Sequence, residues 1–182
     1  MPRYSARVKK VTLPLNYEII DQLRIGDEVL LNGKIYTARD EAHNRFIKLL
    51  NKNKKLPIDL RWQVIYYAGP TPAIPGRIIG SCGPTTSSRM DPFTPKILSC
   101  GLKGMIGKGK RSEEVKEAIK KYRAVYFVAI GGAGAYLSER IKKAKVVLYE
   151  DLGPEAVFEL EVEDFPVIVG IDSSGNDIYS LG

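Results

Sequence analysis

The stretch Gly80-Ser-Cys-Gly-Pro-Thr-Thr-Ser-Ser-Arg-Met-Asp91 is a tight loop packed with hydroxyls and carrying one arginine. It follows Gly76-Arg-Ile-Ile-Gly80, an apolar run that reads as a strand. It precedes Pro92 to Gly101, which reads as a short helix closed by a glycine. A chain that leaves a strand through such a loop and enters a helix is pointed toward an α/β arrangement. The junction also leaves free backbone N–H groups and the positive end of a helix dipole, which suit a carboxylate or phosphate. Thr85, Thr86, Ser87, Ser88 and Arg89 add side-chain donors there. The same residues also suit an ordinary helix cap and turn.

The rest of the chain repeats this design. Tyr4 to Leu15 alternates as a strand, and Asp21 to Asp27 is polar and turn-like. Glu28 to Thr37 predicts a β-hairpin turning on Asn32-Gly33. It delivers Ala38-Arg-Asp-Glu-Ala-His43, after which Phe46, Leu49 and Leu50 fall at helical spacing. Arg39 therefore sits at a second strand-to-helix junction, with His43 one turn further on the same side. His43 is the only histidine, so it is either a packing residue or a proton carrier.

Gln63 to Ala68 reads as a buried strand, followed by the proline-rich loop Gly69 to Gly76. Gly104-Met-Ile-Gly-Lys-Gly109 reads as a short strand ending in a lysine between glycines, which lets Lys108 approach a ligand. Ser112 caps a helix to Tyr122. Ala124 to Ile130, a glycine loop at Gly131 to Gly134, and Lys145 to Asp151 resemble a dinucleotide-binding unit without its third glycine. Val157 to Tyr179 alternates as strands joined through Asp164-Phe-Pro-Val. Without an internal repeat or linker, residues 1–182 are expected to form one mixed α/β domain.

A net charge of +7 suggests an acidic partner or anionic substrate. Nucleic acid is not expected, because no basic stretch is interleaved with aromatics. Lys103, Lys108, Lys110 and Arg111 form the densest basic cluster that also contains glycines. No apolar run approaches the ~20 residues of a membrane helix, and the N-terminus lacks the apolar core of a signal peptide. The cytoplasm is the expected compartment. Two cysteines, Cys82 and Cys100, do not make a disulfide framework and are too few to hold an iron–sulfur cluster.

Five motifs occur in one order: Thr37-Ala-Arg-Asp-Glu-Ala-His43, Tyr67-Ala-Gly-Pro-Thr-Pro72, Gly83-Pro-Thr-Thr-Ser-Ser-Arg-Met-Asp91, Ile106-Gly-Lys-Gly109 and Tyr149-Glu-Asp-Leu-Gly153. In these the chain resembles the β subunit of the iron–sulfur hydro-lyases, class I fumarase and L(+)-tartrate dehydratase. The resemblance implies a swivelling β/β/α domain with mixed sheets and helices on one side. It implies reversible hydration of a C4 dicarboxylate, fumarate to malate first and tartrate dehydration second. It further implies a hetero-oligomer whose α subunit, the partner, supplies a [4Fe-4S] cluster that this chain does not ligate. By the same resemblance Arg39, Arg89 and Lys108 bind substrate and Thr85 abstracts the proton. Thr86 and His43 are candidates for a supporting role. The competing expectation is a nucleotide-binding module of the NAD(P) type, or a nucleic-acid-binding one.

Overall fold

The computed structural model describes residues 8–129 and 134–181. Its framework is a seven-stranded sheet in the order β1-β2-β3-β4-β5-β7-β6. The strands are β1 (Val8–Thr12), β2 (Glu28–Thr37), β3 (Val64–Tyr66), β4 (Gly104–Gly107), β5 (Val125–Val128), β6 (Ile141–Leu148) and β7 (Val157–Ile171). Strands β1 to β5 pair in parallel, and β7 runs antiparallel to β5 and β6. A further antiparallel pairing joins β2 to β7, so β2, β3, β4, β5 and β7 form a closed ring.

Alternation along each strand separates two cores. Val29, Leu31, Ile35, Val64, Tyr66, Ile106, Val125, Phe127, Phe165, Val167 and Val169 face the first. Tyr36, Ile65, Tyr67, Met105, Tyr126 and Ile171 face the second. The helices are α1 (Tyr17–Gln22), α2 (Asp40–Asn51), α3 (Thr94–Ser99), α4 (Glu113–Tyr122) and α5 (Gly134–Ser138). Helices α2, α3 and α4 cover the second core through Phe46, Ile97, Leu98, Val115 and Ile119. The short α1 and α5 bring Ile20 and Leu137 to the first. Helices on one side therefore holds for the three that carry the second core, and one continuous sheet replaces separate ones. Each large side chain so buried contributes about 1.5–3 kcal/mol. Among the described residues no helix is long and apolar enough to cross a membrane.

Four sequence expectations are corrected. Glu28 to Thr37 is one strand, not a hairpin. Its Asn32-Gly33 forms a register shift against β7, where the Asn32 side chain accepts from Asp164 N and donates to Asp164 Oδ1. Val157 to Ile171 is likewise one strand, with Asp164 at positive φ absorbing that irregularity. Gly76 to Gly80 is a loop: Gly80 N donates to Thr71 O at 3.1 Å and Thr71 N to Ser81 O at 3.0 Å. A Cβ on Gly80 would lie 2.5 Å from Thr71 O, so the tight return needs glycine. Asp21 and Gln22, expected in a turn, end α1, which Asn16 caps by accepting from Ile19 N at 2.8 Å.

The dinucleotide-binding expectation is also overturned. Strands β5 and β6 are not neighbours, because both flank β7 and run antiparallel to it. A nucleotide fold needs its strands adjacent and parallel across the glycine loop. Residues Gly131, Gly132 and Ala133 of that loop lie outside the described residues. Gly134 packs against the hydroxyl loop, where a Cβ would fall 2.4 Å from Ser81 Oγ and 2.9 Å from Gly83 N. Its missing side chain lets two segments of the chain touch.

Candidate active site at the carboxyl ends of β2, β3 and β4

Parallel strands open a crevice beyond their carboxyl ends, where following loops meet. Here β2 runs into Arg39, β3 into Tyr67 and the hydroxyl loop, and β4 into Lys108. Tyr67 N donates to Ile106 O at 2.8 Å, and Tyr67 O accepts from Thr85 N at 2.7 Å. Thr86 then bridges to Lys108 in parallel register, and Ser87 N donates to Lys108 O at 2.9 Å. Thr85, Thr86 and Lys108 are thus held side by side by backbone bonds. Thr86 is exposed, whereas Thr85 and Lys108 are half-buried.

A 3-10 turn, Ser87–Met90, carries Arg89 toward α2. There Arg89 Nη2 is ion-paired with Asp40 Oδ2. The Arg89 side chain is 53% exposed, so it can turn toward a ligand. Arg39 is the N-cap of α2 but makes no side-chain cap bond. Its guanidinium lies against Gly69, where a Cβ would sit 2.6 Å from Nη1. Glu155 Oε1 faces Arg39 Nε at 3.8 Å and accepts from Glu41 N at 3.5 Å, placing an anion at the helix start. Among the described residues, Arg39 Nε and Asp40 Oδ1 are both buried without a hydrogen-bond partner. A buried donor and acceptor left unpaired on neighbouring residues are groups that a bound ligand or water can satisfy.

The floor beneath this crevice is a buried cation. The Arg111 side chain is 0% exposed. Its Nε donates to Asp91 Oδ1 at 2.6 Å, and Nη2 donates to Thr94 Oγ1 at 2.8 Å and Tyr67 Oη at 3.2 Å. The guanidinium stacks over Tyr67 and Tyr126. Asp91 Oδ2 accepts from Ser112 N, tying the end of the 3-10 turn to the start of α4. Lys103 is buried too, donating to Tyr122 O at 2.5 Å between the rings of Tyr17 and Trp62. Of the basic cluster in the sequence, Arg111 and Lys103 are scaffold, and Lys108 stands at the crevice.

His43 does not reach the surface. Its ring is buried against Phe46, Tyr67 and Phe93, and Nδ1 donates to Arg39 O at 2.7 Å. Burial depresses its pKa to about 4, Arg111 pushes the same way, and the Arg39 carbonyl opposes them. The ring is therefore neutral at pH 7 and steadies Arg39 from behind. Between pH 4 and 6.5 the unfolded chain binds a proton at His43 that the folded chain refuses. Stability should accordingly rise with pH across that window, by about 3 kcal/mol, and be flat above it. Urea midpoints from pH 4 to 8 check this; His43→Gln should lose that component, and an equal slope in both chains would refute it.

A concavity of about 690 Å³ lies elsewhere, lined by Lys54, Lys55, Arg61 and Cys100 among others, and contains none of the crevice residues. Sequence reasoning missed Asp40, Asp91, Tyr126 and Glu155. Only Asp40, beside Arg39, carried a local signal.

The family model described as Fumarase C-terminus matches residues 2–182. The chain is 43% identical over 166 residues to a Methanocaldococcus jannaschii protein named "Putative L(+)-tartrate dehydratase subunit beta", covering 88% of this chain and 85% of that one. It is 39% identical over 167 residues to the Salmonella typhimurium "Fumarate hydratase class I, aerobic", and 39% over 163 residues to the Leishmania major "Fumarate hydratase 2". These matches cover 89% and 88% of this chain but 29% of each relative. The chain spans under a third of these two fumarate hydratases and most of the tartrate dehydratase subunit. The family match runs through all the strands and loops that build the crevice, and the chain belongs to the fumarase C-terminus family.

Proposed function

We propose that this chain is the β subunit of a cytoplasmic, heteromeric hydro-lyase that adds water to, or removes it from, a C4 dicarboxylate. Fumarate and malate are the first choice of substrate pair, and tartrate is the second. The observation that supports this reading is that Arg39, Thr85 and Lys108 follow the carboxyl ends of three adjacent parallel strands, with Arg89 paired to Asp40 beside Arg39. Guanidinium forks grip planar carboxylates, and a lysine adds the further positive charge that a dianion needs. Arg39 and Lys108 come from opposite sides of the Thr85 loop, which suits a substrate with a carboxylate at each end.

In this reading Thr85 Oγ takes the proton from the carbon next to a carboxylate during dehydration and returns it during hydration. A neutral hydroxyl is a weak base. A cation brought beside it, such as Lys108 on the neighbouring segment, would favour its deprotonated form. The relatives' names supply the reaction class, and the 29% coverage of the fumarate hydratases supports a partner that carries the remaining machinery.

The [4Fe-4S] cluster implied by the resemblance does not fit the described residues. Cys82 is buried in the first core with its thiol pushed up to about 12 by burial, and Cys100 caps α3 on the other face. Among the described residues no three His, Cys, Asp or Glu side chains converge. In the proposal the cluster belongs to the α subunit.

Co-expression with the α subunit and an anaerobic assay of fumarate, malate and tartrate test the proposal. Turnover of one of them by the complex, and of none by either chain alone, is expected. A cluster-loaded complex that turns over none would sink it. Arg89→Lys should lower kcat/KM by about 2–3 kcal/mol, since a point charge cannot replace a fork. Kinetics matching the parent enzyme would remove Arg89 from the substrate's grip.

A further inference from the structure

We propose that Tyr126 is a positioning residue of the crevice, a clamp that keeps Thr85 and Lys108 in register without touching substrate. The inference rests on the functional reading above for its catalytic consequence, and on geometry alone for the clamp. Tyr126 lies on β5, a strand that brings no side chain of its own to the proposed chemistry. It is fully buried, and its hydroxyl is within 2.7 Å of Ser87 Oγ and 2.8 Å of Gly109 O. A carbonyl can only accept, so the phenol proton goes to Gly109 O and Ser87 Oγ–H donates to the phenol oxygen. One hydroxyl thus joins the residue two places after Thr85 to the residue just after Lys108.

The two segments have no slack. A Cβ on Gly107 would lie 1.9 Å from Ser87 Oγ and 2.8 Å from Tyr67 Cδ2. The Ser87 hydroxyl therefore fills the space above Gly107 and is aimed at Tyr126. Thr86 and Lys108 form an isolated bridge rather than a strand pair, so little other ladder supports them. Arg111 fixes the ring of Tyr126 from below at 4.9 Å, and burial holds the phenol protonated by raising its pKa. A phenol that stays protonated keeps donating to Gly109 O across the working pH range.

Tyr126→Phe keeps the ring and removes only the clamp. In the full-length chain, amide exchange at Ser87, whose N–H reaches Lys108 O, should speed by at least tenfold. The amide of Val115, capped by Ser112 on α4, should not change. Unaltered exchange at Ser87 would overturn the clamp whether or not the complex is active. In the assembled enzyme, the factor by which Lys108→Ala lowers kcat/KM should shrink at least tenfold when Tyr126→Phe is already present. A merely structural tyrosine would leave that factor the same, and this result would also overturn the proposal. Ser87→Ala, which cuts the clamp on one side and leaves Tyr126 bonded to Gly109, should give the same direction with a smaller size. It decides the matter if Tyr126→Phe fails to fold. A complex inactive on every dicarboxylate would refute the functional reading alone, with the exchange result still standing.

Discussion

Replacing Arg111 with methionine is expected to remove about 3–5 kcal/mol of folding stability, the cost of stripping one partner from a buried ion pair. Asp91 would be left with a carboxylate only 12% exposed and no cation facing it. Thr94 Oγ1 and Tyr67 Oη would lose their donors at the same time. Urea unfolding with the denaturant slope held constant reads this directly. Adding Asp91→Asn should recover part of the loss, because the neutral amide oxygen can still accept from Ser112 N. A single variant as stable as the parent, within about 0.5 kcal/mol, would show that the pair is not the scaffold described.

The second large effect concerns chemistry. Thr85→Ala in the assembled complex is expected to lower kcat by about 10²–10⁴-fold, the range for removing a positioned proton carrier. Thr85→Ser should keep most of the rate, since it retains the hydroxyl, while Thr85→Val should behave as alanine does. Thr85 is anchored through its backbone N–H to Tyr67 O, a bond all three variants preserve. The variants therefore test the side chain and not the loop. A valine variant with the parent's kcat would dismiss Thr85 as proton carrier.

How much of this was legible in the sequence follows from the range of each interaction. Thr85 was told from its neighbouring hydroxyls only by the family resemblance. Arg39 and Lys108 each stand just past an apolar run, and Arg89 closes a loop of hydroxyls, so local pattern singled them out. The helix capped by Ser112 was legible for the same reason, and it runs Glu113–Tyr122. Asn32-Gly33 misled because its partner is 132 residues away: Asp164 holds Asn32 from across the sheet and turns an apparent hairpin into a bulge. Gly33 is needed all the same, since a Cβ there would lie 3.1 Å from Leu13 Cβ. Arg111 read as one member of a basic cluster with Lys103, Lys108 and Lys110. Only the fold brings Asp91, Thr94 and Tyr67 around it, and no short window of sequence contains all four. Tyr126 was hidden more deeply still, as an aromatic in a buried strand whose hydroxyl partners come from two other loops.

Closing the ring through β2 and β7 leaves β1 and β6 at the two ends of the sheet. Both carry lysines along the rim: Lys9 and Lys10 on β1, and Lys142, Lys143 and Lys145 on β6. A strand that ends the sheet among the described residues is a template on which a second copy can grow. Charged side chains along it, here lysines partly offset by Asp27, Asp164, Glu159 and Glu161, make that growth unfavourable. Val146 and Val147 on β6 are partly exposed and would otherwise invite such stacking. A share of the +7 excess thus has a colloidal purpose: it keeps molecules of this chain from zipping to one another along these two edges.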